Sequence, residues 1–439
     1  MLHRTAFWLL DLCRGAPILR HLRDIASQLE APNRFCTLQT ARLHSLIRHA
    51  AKSTQHYRRY DENTPLGDFA VLTKQEIQSA GAAFLSSAYS KNQLTSVKTS
   101  GSYGAPLEVF HSSKKRSRRL AELLFFSSWA NYRIGDKHAL IRTTRKGTLR
   151  TLLQNEIWMD PTRLEASDVA ECVRIMRHKR VRIAIGYASV LGELARYSLE
   201  QGYPTSSYSL RGVIATSEPL READRAVITA AFGTPVLSRY ATEEFGVVAH
   251  EHPSAQGHIV NSASYVVEVL ELHRAVAVAP GAIGRVVVTD LFSHAMPLIR
   301  YETGDLACRG ATRFDSRETL DAIEGKQMEA IFDADGLRVS PHAINVAMKD
   351  FGSAGQYQLA QVGPGKFELR VKPVSAPDEH YAAAMKERLL PILGTRAVLR
   401  IVWVDSVAAQ SSGKSPFIVN EYRSKTGADL GNGMQTNDE

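Results

Sequence analysis

The 439-residue chain has only four cysteines, Cys13, Cys36, Cys172 and Cys308, and no CxxC pair among them. A disulfide scaffold is not expected in a chain this long, and a reducing compartment is. Long apolar runs are missing too. The run Ala6 to Leu10 is broken by Asp11, too short for a secretion-signal core or a membrane span. It reads as an amphipathic helix packed on the body, with a weak membrane-surface contact as the alternative. With no transmembrane segment in view, the expected location is the cytoplasm. Zinc-finger, homeodomain and RNA-reading motifs are also lacking, so specific nucleic-acid recognition is not expected. No internal repeat is present.

What is there is ordinary in bulk. A hydrophobic fraction of 44% and a charged fraction of 23% are those of a soluble globular protein. The length implies two or three domains. The formal net charge of +9 suits an anionic ligand: a nucleotide, coenzyme A, nucleic acid or an anionic membrane surface, and nucleic-acid binding stands as a third reading on charge alone. Lys114, Lys115, Arg116, Arg118 and Arg119 read as a solvated helix face, and Arg142, Arg145, Lys146 and Arg150 as a loop.

Periodicity predicts helices over 38–60, from Ser112 or Ser113 to about Trp129, and over 167–180 and 188–201, with a short helix started by Val71 to Lys74. Ile183 to Ile185, Arg211 to Thr216 and Pro235 to Tyr240 read as strands. Between the last two, Leu220, Ala223, Val227 and Ala231 mark one helix face, ended by Gly233. This alternation predicts an α/β architecture with parallel pairing. Residues 258–304 read as an antiparallel or barrel-like β region. The tail reads as an α+β unit: strands near Ala330, Lys366 to Val371 and Ala397 to Val402, and helices after Pro341 and over His380 to Leu390. Residues from Thr426 onward are expected to be disordered.

Four segments carry chemistry. Thr99-Ser100-Gly101-Ser102-Tyr103-Gly104-Ala105-Pro106 lies between two strands, and its small residues let backbone N–H groups approach an anion. It lacks the lysine of a Walker loop. Thr216-Ser217-Glu218-Pro219 and Tyr240-Ala241-Thr242-Glu243-Glu244 sit at successive strand ends, where α/β sheets bind ligands. An aromatic ring there can stack on a base, and a carboxylate can hold Mg²⁺. Met296 to Asp305 ends in Thr-Gly-Asp, a turn whose carboxylate can accept ribose hydroxyls. Ser411-Ser412-Gly413-Lys414 presents one lysine that can neutralise charge in adenylyl transfer.

In their order and spacing these segments resemble the adenylate-forming superfamily, and within it the phenylacetate–CoA ligase branch, including relatives encoded with capsule and polysaccharide genes. Leu46 to Ala50, His56-Tyr57-Arg58 and Gly186-Tyr187-Ala188-Ser189 add to the likeness, which covers about residues 40 to 420. The resemblance implies an α/β fold with a large N-terminal domain of mixed sheets, helices and a β-barrel-like region over 1–323. It implies a small mobile α+β C-terminal domain over 324–425, with 426–439 as a tail. The activity it implies is an AMP-forming ligase that activates a carboxylic acid, possibly aryl, with ATP and passes the acyl group to coenzyme A or a carrier-protein thiol. Thr99, Ser100, Gly101, Ser102 and Gly104 would then close on the ATP phosphates. Ser217, Glu218 and Pro219 would line the adenine site, Tyr240 would stack on adenine, Glu244 would bind Mg²⁺, and Asp305 would hold the ribose. Lys326 would sit at the hinge, and Lys414 would serve adenylation.

The chain departs from the family pattern at Tyr103, Ala105, Ala241, Glu243, Lys326 and Met328. These departures motivate a second reading, a degenerate member that binds nucleotide or acyl ligand without full turnover. Some relatives hold zinc after the Mg²⁺ glutamate. Here His250, His252, His258 and Cys308 occur without the expected cysteine pair, and solvated loop histidines are the plainer expectation.

Overall fold

The computed structural model describes residues 2–30, 32–98, 107–143, 147, 151–152, 154–161, 166–311, 313–314, 317–326, 331–334, 339, 341–348, 351, 356–373, 379–394, 396–407 and 416–422. The chain divides into two compact units after Gly325.

The larger unit opens on helices α1 (Leu2–Cys13), α2 (Pro17–Glu30) and α3 (Pro32–Ser53), followed by the short α4 (Lys74–Ser79). Asp11, the residue that interrupts the first apolar run, is buried and accepts from the backbone N–H groups of Ile18 (3.1 Å) and Leu19 (3.0 Å) at the start of α2. It thus satisfies donors that a helix start leaves open. Thr73 and Glu76 form a reciprocal capping box that starts α4. Strands β1 (Thr95–Lys98) and β2 (Glu108–His111) pair antiparallel, and α5 (Ser113–Ser128) follows, capped by the Ser112 hydroxyl.

The main sheet has eleven strands among the described residues. Its parallel half runs in the order β4-β3-β5-β6-β7, from β3 (His138–Ile141), β4 (Glu156–Met159), β5 (Ile183–Tyr187), β6 (Gly212–Thr216) and β7 (Val236–Thr242). Both faces of the central strands are covered, so β5 and β6 read as continuous rather than alternating apolar runs; every residue of β5 is buried. Helices α6 (Ala166–His178), α7 (Ala188–Glu200) and α8 (Glu222–Phe232) cross over between them. Gly233 ends α8 in the left-handed region, φ 64°.

Past β7 the sheet turns antiparallel, in the order β7-β8-β9-β13-β12-β11-β10. The strands are β8 (Gly246–Glu251), β9 (His258–Val260), β10 (Tyr265–Leu270), β11 (Ile283–Asp290), β12 (Tyr301–Arg309) and β13 (Thr319–Lys326). They continue the one sheet instead of forming a sheet of their own. A single apolar cluster joins Tyr240, Val248 and Ala249 to Val269, Val286, Val288 and Ala307, so this half curls around shared core.

The smaller unit holds a second sheet in the order β16-β15-β14-β17, from β14 (Gln356–Gly363), β15 (Lys366–Lys372), β16 (Val398–Trp403) and β17 (Ile418–Asn420). Helices α9 (Pro341–Met348) and α10 (Glu379–Leu393) contribute Ile344, Met348, Met385 and Leu389 to its core. The strand expected near Ala330 and the tail from Thr426 lie outside the described residues. Among the described residues, no helix is long and apolar enough to cross a membrane.

The basic face expected on α5 is corrected at two residues. Lys115 is 1% exposed and Arg118 is 0% exposed. Lys115 Nζ lies 2.5 Å from Asp290 Oδ2 and 3.1 Å from the Tyr265 hydroxyl. Arg118 pairs with Asp24 of α2 and donates to Ser264 Oγ at 2.9 Å. Tyr265 donates in turn to Glu122 at 2.9 Å. Buried charges are tolerated when they are paired and hydrogen-bonded in this way. Helix periodicity alone does not separate such a face from a solvated one, because the partners come from distant strands.

Candidate active site

The functional candidates of the larger unit gather where the carboxyl ends of β6 and β7 approach the middle of β12. Strand β6 delivers Ser217 in the left-handed region, φ 70°. For a residue with a side chain that backbone is sparsely populated, and such residues cluster at functional sites. The chain turns there so that Glu218 Oε2 accepts the backbone N–H of Ser189 at 3.0 Å, in the first turn of α7. A carboxylate in the first helical turn is favoured by the helix dipole. Pro219 continues the loop toward α8.

Tyr240 is buried in β7, and its hydroxyl donates to Asp305 Oδ2 at 2.7 Å; Thr303 Oγ1 lies 3.3 Å away. Burial, reinforced by the Asp305 charge, raises the phenol well above its ordinary value and keeps it protonated. Asp305 reaches this position through Gly304, whose φ of 72° only glycine adopts cheaply. Thr303 Oγ1 also accepts the Asp305 backbone N–H at 3.1 Å. The preceding Arg300, at φ 51°, is held by Glu268 and by the carbonyls of Gly67 and Phe69.

Glu243 and Glu244 follow β7 and take different surroundings. Glu244 is half-buried, and the Tyr301 hydroxyl donates to its Oε1 at 3.3 Å. Burial and the Glu244 charge push that phenol up. The Glu244 carbonyl accepts from His111 Nε2 at 3.0 Å, while Arg119 donates to His111 Nδ1 at 3.2 Å. Burial, with Arg119 and Lys115 nearby, lowers His111 to about 3, so the ring is neutral and the two bonds fix its tautomer. Glu243 is exposed and lies 3.6 Å from Arg119 and 3.8 Å from Arg142. Sequence reasoning did not single out His111 or Tyr301. His111 ends the strand after the Gly/Ser loop, and Tyr301 lies inside the Met296–Asp305 segment.

Thr99, Ser100, Gly101, Ser102, Gly104, Met328 and Lys414 lie outside the described residues. Lys326 closes β13, next to Gly325 with φ 89°, and its side chain is likewise outside them. The histidines and Cys308 are not brought together. Among the described residues, no group of three His, Cys, Asp or Glu is placed to hold a metal. His250 is buried within β8, its Nδ1 2.7 Å from the Glu251 carbonyl, and Cys308 Sγ lies 3.2 Å from the Gly281 carbonyl. The reading of all the histidines as solvated is corrected as well, because His250 and His258 are 0% and 5% exposed.

No family model matches the chain. Protein CapK from Staphylococcus aureus is 21% identical over 305 residues, which span 65% of this chain and 66% of that protein's own length. The solved structure of 2-hydroxyisobutyryl-CoA ligase in the postadenylation state, bound to an acyl-AMP, superposes with a TM-score of 0.74. The match has 16% identity and covers 90% of this chain and 92% of that one. The same ligase in complex with 2-HIB-AMP and CoA gives 0.59, at 17% identity over 90% and 91%. ATP-bound MatB from Rhodopseudomonas palustris gives 0.54, at 15% identity over 77% and 70%. The chain is a distant homologue of protein CapK and has the fold of the adenylate-forming acyl-CoA ligase superfamily.

Proposed function

We propose that the chain is an AMP-forming ligase. It activates a carboxylic acid with ATP as an acyl-adenylate and transfers the acyl group to a thiol, either coenzyme A or a carrier protein. The observation that carries this reading is the meeting of Tyr240, Thr303 and Asp305 at one point, beside Glu244, within a fold whose solved neighbours hold ATP or acyl-AMP.

The residues divide the work. A carboxylate held by a neutral phenol is an acceptor set for the ribose hydroxyls at Asp305, while the Tyr240 ring offers a face to adenine. Thr99 to Pro106 surround the phosphates, and Ser217 to Pro219 line the base. Glu244 fits a hard cation, since it is a half-exposed oxygen donor oriented by Tyr301. Mg²⁺ bound there would neutralise phosphate charge. The substrate carboxylate attacks the α-phosphorus and pyrophosphate leaves, with Lys414 donating to the charge that builds. The thiol then attacks the acyl carbon and AMP departs.

A second reading, ligand binding without turnover, is motivated by Glu243. It places an additional carboxylate, flanked by Arg119 and Arg142, beside the position proposed for phosphate. A panel of carboxylic acids assayed for ATP-dependent pyrophosphate release, with and without coenzyme A, separates the two. Acid-dependent release supports the ligase. ATP binding without release under any acid supports the second reading.

A further inference from the structure

Immediately before Tyr240, strand β7 carries a cation with no counter-charge among the described residues. Arg239 is 8% exposed. Its Nε is sealed from solvent and has no hydrogen-bond partner. Among the described residues no ion pair or ring contact reaches its guanidinium either. Every other arginine described as buried in this unit contrasts with it: Arg118, Arg221 and Arg300 each hold a carboxylate. Enclosing an unpaired charge costs several kcal/mol, so such a group is normally neutralised or paired.

Among the described residues, the charge that acts on it most directly is another cation, Arg142. Side chains alternate along a strand, so Arg239 projects to the face opposite Tyr240. That is the face of Leu237, which packs on Trp129 and Ala130 at the end of α5. Across the ladder stands His250. Burial lowers His250 to about 3, so the ring is neutral and supplies no charge. Arg142, its side chain 37% exposed and 3.8 Å from Glu243, follows β3. Burial and then Arg142 lower Arg239 to about 10, which still leaves it cationic at neutral pH. Two guanidiniums, one enclosed and one at the surface, thus stand close together one residue from the proposed adenylation centre.

We propose that Arg239, assisted by Arg142, binds a second anionic group on the acid substrate. The substrate is then an acid carrying a remote carboxylate or phosphate ester as well as the carboxyl group that is activated. This rests on the ligase reading and narrows it. A planar fork of donors suits a terminal carboxylate or phosphate, and the enclosed position makes the contact selective. A site built to pair a polar group rejects the analogue that lacks it far more strongly than an apolar pocket rejects an extra methylene.

The test uses matched acids: succinate against butyrate, glutarate against pentanoate, and 3-phosphoglycerate against glycerate. ATP–pyrophosphate exchange is measured with wild type and Arg239→Leu, alongside melting temperature with each acid alone and ATP affinity without acid. Wild type should favour a dianion over its partner by about 100-fold or more in kcat/KM. Arg239→Leu should lose that preference, keep its ATP affinity, and melt higher than wild type without ligand, because an unpaired buried charge has gone. Equal use of the matched acids by wild type overturns the inference and leaves the ligase reading intact. Loss of ATP affinity in Arg239→Leu overturns it too, by assigning the cation to the nucleotide. If no acid supports exchange but a dianion raises the melting temperature of wild type and not of Arg239→Leu, the anion site stands and the ligase reading falls.

Discussion

The hydroxyl of Tyr240 reaches Asp305 at 2.7 Å although three strands separate β7 from β12 in the sheet. Four strand spacings on a flat sheet would hold them about 19 Å apart. The antiparallel half must therefore curl until β12 comes back over β7, and the meeting point is where the nucleotide is proposed to bind. Asp305→Ala should weaken ATP binding at least about tenfold, since hydrogen bonds to a charged group are worth roughly 1.5–3 kcal/mol. Isothermal titration with ATP checks this, and an unchanged affinity would take Asp305 out of the site.

Gly304 sets the direction of Asp305. A Cβ there meets nothing within 4 Å, so Gly304→Ala would be strained only through its φ of 72°. The expected cost is about 1–2 kcal/mol. It should appear as a lowered melting temperature together with weaker ATP binding, because the turn carries the carboxylate.

Glu243 and Glu244 are separable. Glu244→Gln should abolish Mg²⁺-dependent pyrophosphate release. Glu243→Thr should keep or raise activity at a stability cost of at most about 1 kcal/mol, as an exposed pair contributes little. A titration of rate against Mg²⁺ for both variants decides it, and the reverse pattern would exchange the two roles.

His250 gives the fold an acid-side weakness. Its folded pKa, about 3, lies below the ordinary value of 6.5. The unfolded chain therefore binds the extra proton first, and stability present above about pH 6.5 is lost as pH falls toward 3. By pH 4.5 the loss from this group approaches about 2–3 kcal/mol. His250→Phe should show a shallower fall of melting temperature between pH 7 and pH 4.5 than wild type. Equal slopes would remove His250 as the cause.

Lys414→Ala should lower pyrophosphate release from ATP and acid by about 10²–10³. Thioester formation from supplied acyl-adenylate should be largely spared, because the lysine serves only the first half-reaction. Measuring the halves separately checks the assignment; equal loss of both would argue against it.

Much of the fold was legible because local rules agree with it. The apolar runs of β5, β6 and β7, the cap at Ser112 and the stop at Gly233 each mark an element within a residue or two of its place. Strand β14 was missed because its glutamines disguise a buried strand. Gln361 is buried yet accepts the Phe332 N–H at 2.9 Å, so the polar atoms are satisfied by a partner that sequence does not display. The same limit hid the site's supports. His111 meets Glu244 across 133 positions, and Arg239 is notable for the partners it lacks among the described residues. Neither kind of fact leaves a local pattern.

The buried pair of Lys115 and Asp290 also constrains how the chain is made. At about 5–20 residues per second, Asp290 leaves the ribosome roughly 10–35 s after Lys115. During that interval helix α5 carries a lysine whose buried position lacks its counter-ion, beside an Arg118 that already has Asp24 from the earlier helix α2. The amino-terminal helices can therefore dock early, while final closure of α5 against the sheet must await β11. An amino-terminal nascent fragment halted before β11 should expose α5 to protease, and one halted well beyond it should protect the same helix.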